Sequence, residues 1–170
     1  MTIATISAYA IGGLVALSAA TLLLPRHVSV ERSASLSATP DAILELAASN
    51  TGYQAFNPYK STDPDLKIDM FGPANGVGSG FHFAGKEGKG SQTVATVTSE
   101  TVVYHIDMGA LGKPTQSIKV VPGADGSTVT WRVESDTGFN PIFRVFGLFM
   151  DGMMGPVFER GLDNLGKATA

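Results

Sequence analysis

From His27 to Ser37 the chain alternates. Val28, Val30, Arg32, Ala34 and Leu36 fall to one side, and Ser29, Glu31, Ser33, Ser35 and Ser37 to the other. That period of two predicts a strand with one mostly apolar face. Strand signals follow over Leu66–Phe71, Val77–Ala84, Ser91–Glu100, Thr101–Met108, Gln116–Val121 and Ser127–Asp136, with Ser91–Glu100 marked by its Thr and Val content. Phe81 and Phe83, then Tyr104, Ile106 and Met108, then Val129, Trp131 and Val133 mark the apolar sides. Gly72–Gly76, Gly85–Gly88 and Pro122–Gly126 carry turn chemistry between them. Seven strands, the last six consecutive and closely spaced, predict a curved antiparallel sheet.

Two stretches switch to a helical period. Thr39 can cap a helix opening on Pro40 and Asp41, with Ile43, Leu44 and Leu46 as its apolar side. Tyr53 to Asp65 holds two prolines amid polar punctuation and reads as loop, with the aromatics Tyr53, Phe56 and Tyr59 in it. The last helix is predicted over Asn140 to Lys167, long and bent, with Asn140 as its cap and Pro141 in its first turn. Ile142, Phe146, Phe149, Met153 and Val157 recur at threes and fours and predict a face laid against the sheet, with a kink at Gly155-Pro156. The fold class is therefore α+β, a sheet around a long C-terminal helix.

Ile3 to Leu24 carries no charge. As a helix it would be roughly 33 Å long, against a hydrocarbon core of about 30 Å. The stretch predicts one uncleaved transmembrane helix. A signal peptide would carry a basic n-region, and a buried core helix a polar face. Residues 1–25 then form an anchor in the cell membrane, and 26–170 the folded domain. Arg26 and Arg32 follow the span and neither Lys nor Arg precedes it. That leans toward a cytoplasmic domain, on two residues only.

Composition narrows the chemistry. A net charge of −3 provides no footprint for nucleic acid. With Cys at 0 there is neither thiolate chemistry nor a disulfide. Gly76-Val77-Gly78-Ser79-Gly80 lacks the lysine and spacing of a phosphate loop, and Asp63, Asp65 and Asp69 lack EF-hand spacing. No cofactor is implied. His105 and Asp107 share a strand face, and His82 is the remaining acid/base candidate. The three are too few and too irregularly spaced to predict a metal site.

The apolar faces of sheet and helix are open to two readings. They form a plain core, or they close incompletely around an apolar cavity. In the second case Phe81, Phe83, Tyr104, Met108, Trp131, Phe146 and Met150 line it, and Phe56 and Tyr59 gate its mouth.

Several short motifs, in this order, resemble one family. They are Leu24-Pro25, Val30-Glu31-Arg32-Ser33, Ala38-Thr39-Pro40, Phe56-Asn57-Pro58-Tyr59, Gly72-Pro73 with Gly76-x-Gly78-Ser79, Thr128-x-Thr130-Trp131, and Gly161-Leu162-x-x-Leu165. The chain from about residue 22 to 168 resembles the START-like superfamily (SRPBCC, polyketide cyclase/dehydrase-like), whose fold is the helix grip. Phe56, Tyr59 and Phe83 stand where members usually carry tryptophan. The resemblance implies a domain that binds a hydrophobic small molecule or lipid. It brings no shared catalytic residue, although a minority of members catalyse cyclisation. Three readings follow: a membrane-anchored binder of an apolar ligand, an enzyme of cyclase or dehydratase type using His82, His105 and Asp107, or a protein-interaction module with a filled core and an unidentified partner. The residues favour the binder over the enzyme.

Overall fold

A computed structural model describes residues 3–170 of the chain. Met1 and Thr2, the first residues of the expected anchor, lie outside the described residues. The first helix, α1 (Ile3–Thr21), is followed by β1 (His27–Leu36), α2 (Pro40–Ala48), α3 (Asn50–Phe56) and β2 (Lys67–Phe71). Then come β3 (Gly80–Gly85), β4 (Gly88–Val97), β5 (Thr101–Asp107), β6 (Thr115–Gly123) and β7 (Gly126–Asp136). Two helices, α4 (Pro141–Gly147) and α5 (Met150–Ala168), close the fold.

The seven strands form one antiparallel sheet in the order β1-β7-β6-β5-β4-β3-β2. Consecutive hairpins build it, and β1 returns to pair with β7. A bulge between Val94 and Thr96 interrupts the β4–β5 ladder, as expected where a sheet bends. The face carrying Val30, Phe81, Val94, Val102, Tyr104, Ile118, Val129, Trp131 and Val133 is buried. The buried side of α5 covers the β1–β7 end of that face with Phe158, Leu162 and Leu165, while α2 and α3 supply Ile43, Leu44, Tyr53 and Phe56. This is the curved antiparallel sheet the alternation predicted, in the helix-grip arrangement the family resemblance implies.

Arg32 ties α5 to β1. Its guanidinium lies against Gly155 and pairs with Asp151 at 2.8 Å and Glu159 at 2.9 Å, one helical turn to either side. A side chain at position 155 would occupy the space the guanidinium takes.

Four sequence expectations are corrected. The loop expected from Tyr53 opens as α3, because the Ser49 side chain accepts the Gly52 N–H at 3.1 Å and caps a second helix. The closing helix breaks at Leu148–Phe149 rather than at Pro156. There the Leu148 and Phe149 N–H groups bond three residues back, to Val145 and Phe146, while Pro156 lies inside α5. The carbonyl that Pro156 leaves unbonded belongs to solvent-exposed Gly152, where water can serve it. The stripe of Ile142, Phe146, Phe149 and Met153 faces outward, not onto the sheet.

The fourth correction concerns the span. The helix ends at Thr21, and Leu22, Leu23 and Leu24 turn back on Ala19, Ala20 and Thr21 through bonds of 3.0–3.1 Å. At about 1.5 Å per residue α1 reaches roughly 28 Å. Glycine, serine and threonine dilute its apolarity. Among the described residues no helix is long and apolar enough to cross a membrane.

Candidate functional site

The interior of the grip is an aromatic cluster centred on Tyr53. Its ring centroid lies 4.8 Å from Phe56, 5.4 Å from Phe81, 5.5 Å from Tyr104 and 6.1 Å from Trp131. Trp131 stacks on Phe158 at 5.3 Å, with the planes 11° apart. Helical spacing explains the meeting: Ser49 starts α3, and Tyr53 and Phe56 then lie three apart on the face turned to the sheet.

Polar atoms on this face are few and mostly satisfied. The Tyr104 hydroxyl donates to the Ala47 carbonyl at 2.7 Å, and the Gln116 amide donates to the Tyr53 hydroxyl at 3.1 Å. Burial pushes both phenols above their ordinary pKa, so each stays neutral at any physiological pH. Among the described residues two buried side-chain donors have no hydrogen-bond partner, the Gln54 amide on α3 and, on this face, the Trp131 indole N–H. A buried, unpaired donor costs on the order of 1–3 kcal/mol.

The gap beside the aromatic cluster is small, about 10 Å³ among Ala47, Tyr53, Phe81, Gln92, Val94 and Tyr104. That is no more than about one water's worth. An open groove of about 580 Å³ lies elsewhere, between α3 and the end of α5, lined by Gln54, Asn57, Lys60, Ser61, Asn164 and Lys167. Ala55 and Ala168 stand among these polar and charged side chains, and the groove lies outside the aromatic interior, so it is not the cavity the sequence pattern suggested.

The expected lining therefore divides into three. Phe56, Phe81, Tyr104 and Trp131 are fully packed core. Phe83, Met108 and Met150 are half-buried; Phe83 and Met150 pack against the edge of that core. Tyr59 is also half-buried, outside the cluster, and burial together with nearby Glu87 raises its pKa to about 12. Phe146 is exposed on α4 and lines nothing interior. Phe56 gates no mouth, because α3 carries it inward.

The acid/base candidates lie on the opposite face of the sheet. Phe81, Gln92 and Ile106 are cross-strand neighbours on the inner face, and the next row, His82, Ser91 and Asp107, therefore points outward. His82 lies 4.7 Å from the Phe71 ring, and His105 is exposed. Asp107 pairs with Lys113 at 2.7 Å and accepts the Gly109 N–H at 2.8 Å, which hold its carboxyl below the usual range. None of the three reaches the aromatic interior. Among the described residues no three metal-binding side chains of the His, Cys, Asp or Glu type converge.

Two elements of the arrangement escaped the sequence reading. Tyr53 was visible only as a loop aromatic, and Ser49 as a cap was the signal that could have placed it. Arg144 was the other: a single charge within an otherwise apolar run marks a side chain that must turn inward.

Residues 27–169 match the family model described as polyketide cyclase / dehydrase and lipid transport. No curated protein matches the chain in sequence. Solved structures share its fold. A truncated norcoclaurine synthase from Thalictrum flavum is 17% identical, with a TM-score of 0.65 over 83% of this chain and 92% of that one. The di-domain ARO/CYC protein StfQ of the steffimycin biosynthetic pathway is 12% identical, with a TM-score of 0.62 over 84% of this chain and 50% of that one. A protein from Chromobacterium violaceum is 12% identical, with a TM-score of 0.60 over 83% and 96% of the two chains.

Proposed function

The chain belongs to the polyketide cyclase / dehydrase and lipid transport family, and from that premise we propose that it binds a hydrophobic small molecule or lipid between the sheet and α5. The observation that carries this reading is the unpaired indole N–H of Trp131. An apolar ligand with one carbonyl or hydroxyl oxygen would supply the missing acceptor and bring its own hydrocarbon to an apolar wall. Phe83, Met150 and Met154 border that wall and are only half-buried. The two methionines are unbranched and repack readily, so they are the side chains that yield when a ligand enters the closed interior. The family membership and the cyclase and synthase neighbours agree with a ligand of this type. Chemistry on it has less support, because His82, His105 and Asp107 lie on the far face of the sheet.

The ligand source in this reading is a membrane. Tyr9, Ile11 and Val15 on α1 are exposed, and the helix is uncharged. A helix without a polar face needs apolar cover. Lodging of α1 in the apolar layer of a bilayer, without crossing it, would provide that cover and hold the domain beside membrane-dissolved ligands.

The test uses the full chain in detergent micelles with a fluorescent fatty acid and a fluorescent sterol. Trp131 is the single tryptophan (Trp 1), so its emission reports directly on the proposed site. Saturable uptake of either probe with a concurrent change in Trp131 emission is the expected result. Trp131→Phe should weaken uptake about tenfold or more, consistent with one lost hydrogen bond in a dry site. A wild-type chain that takes up neither probe would overturn the reading.

A further inference from the structure

The stripe of Ile142, Phe146, Phe149 and Met153 has the spacing of a buried helical face, yet its residues are 73%, 45%, 61% and 49% exposed. Phe139 and Leu23 beside it are 75% and 90% exposed. Large apolar side chains this exposed and this close together are uncommon on a solvated surface and mark a contact.

The stripe is also free of charge. Between Phe139 and Met153 the charged residues are Arg144, which is 6% exposed, and Asp151, which is paired with Arg32 of β1. Arg144 turns away from the stripe. It donates to the Leu22 and Leu24 carbonyls at 2.8 and 2.6 Å and to the Gly138 carbonyl at 2.9 and 2.8 Å. The Leu22 and Leu24 carbonyls follow the C-terminus of α1, where a helix dipole favours a cation. One guanidinium therefore fastens α1, the chain before α4 and α4 itself into a single corner.

We propose that this corner is a bilayer-contact surface, on which Ile142, Phe146, Phe149 and Met153 seat the domain against the lipid that receives α1. The proposal rests on the membrane reading of α1 given above. It commits to lipid rather than to a second copy of the chain because of what lies next to the stripe. The stripe begins where an uncharged helix ends, Arg144 bonds the two together, and any surface that accepts α1 lies within reach of α4. Burial of a charge would oppose contact with hydrocarbon, and the stripe has none to bury. With four large apolar side chains seated, Met150 and the start of α5 are held next to the membrane. The ligand's route then does not cross water.

The chain has 0 cysteines, so single-cysteine labelling needs no prior removal. Phe146→Cys, Phe149→Cys, Ile11→Cys on α1 and Lys119→Cys on the outer face of β6 are each labelled with a nitrobenzoxadiazole dye. The full chain is then mixed with phosphatidylcholine vesicles with and without spin-labelled lipid. The expected result is a blue shift and spin-label quenching at positions 11, 146 and 149, with neither at 119. High salt should leave these unchanged, since the contact is apolar. Quenching at 11 with positions 146 and 149 still in water would overturn the proposal and leave the membrane reading intact. Quenching at none of them would overturn both. A blue shift at 146 without vesicles, in a chain that sediments as a dimer, would assign the surface to a second copy and overturn the lipid contact.

Discussion

The benzene ring of Trp131 lies directly against the bare Cα of Gly161. A β-carbon at 161 would fall inside the ring's contact distance from three of its atoms, and Trp131 cannot retreat because Phe158 stacks on it and Phe56 meets it edge-on at 5.7 Å. The helix can approach the sheet this closely only with glycine there. Gly161→Ala should therefore destabilise the domain, although alanine is the better helix former, by about 1–3 kcal/mol. Thermal or urea unfolding checks it; an unchanged or raised midpoint would mean that α5 does not sit this tightly on Trp131.

Neighbouring positions on α5 should separate cleanly. Leu162 is buried in the core, and Leu162→Ala should cost about 2–5 kcal/mol. Glu159 lies on the exposed side, paired with Arg32 across the helix–strand seam. Glu159→Ala should cost no more than the ~0–1 kcal/mol of a surface ion pair. Equal losses in urea titrations would contradict the orientation of α5.

The two central phenols make stability sensitive to alkali. Tyr53 and Tyr104 are buried, and desolvation raises both pKa values in the folded state. A raised folded-state pKa gives stability that is fully present below the unfolded value of about 10 and is lost as pH rises above it, because only the unfolded chain releases those protons easily. Unfolding midpoints should hold up to about pH 9 and fall above about pH 10. Tyr53→Phe should flatten the alkaline slope, whatever it does to stability at neutral pH, and an unaltered slope would show that Tyr53 titrates normally.

The fold was largely legible in the sequence, and the site was not. Alternation placed most of the strands, because one buried and one solvated face leave a period of two, and Thr and Val content marked Ser91–Glu100. The final helix shows the limit of periodicity. Ile142, Phe146, Phe149 and Met153 have the spacing of a core stripe, and spacing tells that residues share a face without telling what the face meets. Tyr53 and Phe56 failed differently: two nearby prolines suggested a loop, while the deciding signal was the hydroxyl of Ser49. Openness of the interior is a matter of a few ångströms between α5 and the sheet, and no periodicity carries that information.

Filling the edge of the interior should block uptake without unfolding the protein. Met150 is half-buried and packs on the core at the start of α5. Met150→Trp would place a rigid indole where a flexible thioether now yields. Fatty-acid or sterol uptake should fall at least about tenfold, while far-ultraviolet circular dichroism and the unfolding midpoint stay near wild type. Undiminished uptake would place the ligand somewhere other than between sheet and α5.

Arg144 should prove irreplaceable by lysine. The guanidinium meets three carbonyls from two separate segments, and its planar fork of donors is what allows one side chain to do so. An ammonium offers its donors from a single point and cannot span Gly138, Leu22 and Leu24 together. The N–H groups of Leu22, Leu23 and Leu24 now bond back into α1 at 3.0–3.1 Å. In Arg144→Lys those bonds lose the fixed carbonyls that hold the turn, and their amide hydrogen exchange should quicken by about tenfold or more, the equivalent of ~1.4 kcal/mol of local opening. Exchange within β5 and β6, remote from the corner, should stay unchanged. If the Leu22–Leu24 amides keep their protection in the lysine variant, α1 and α4 are joined by packing alone.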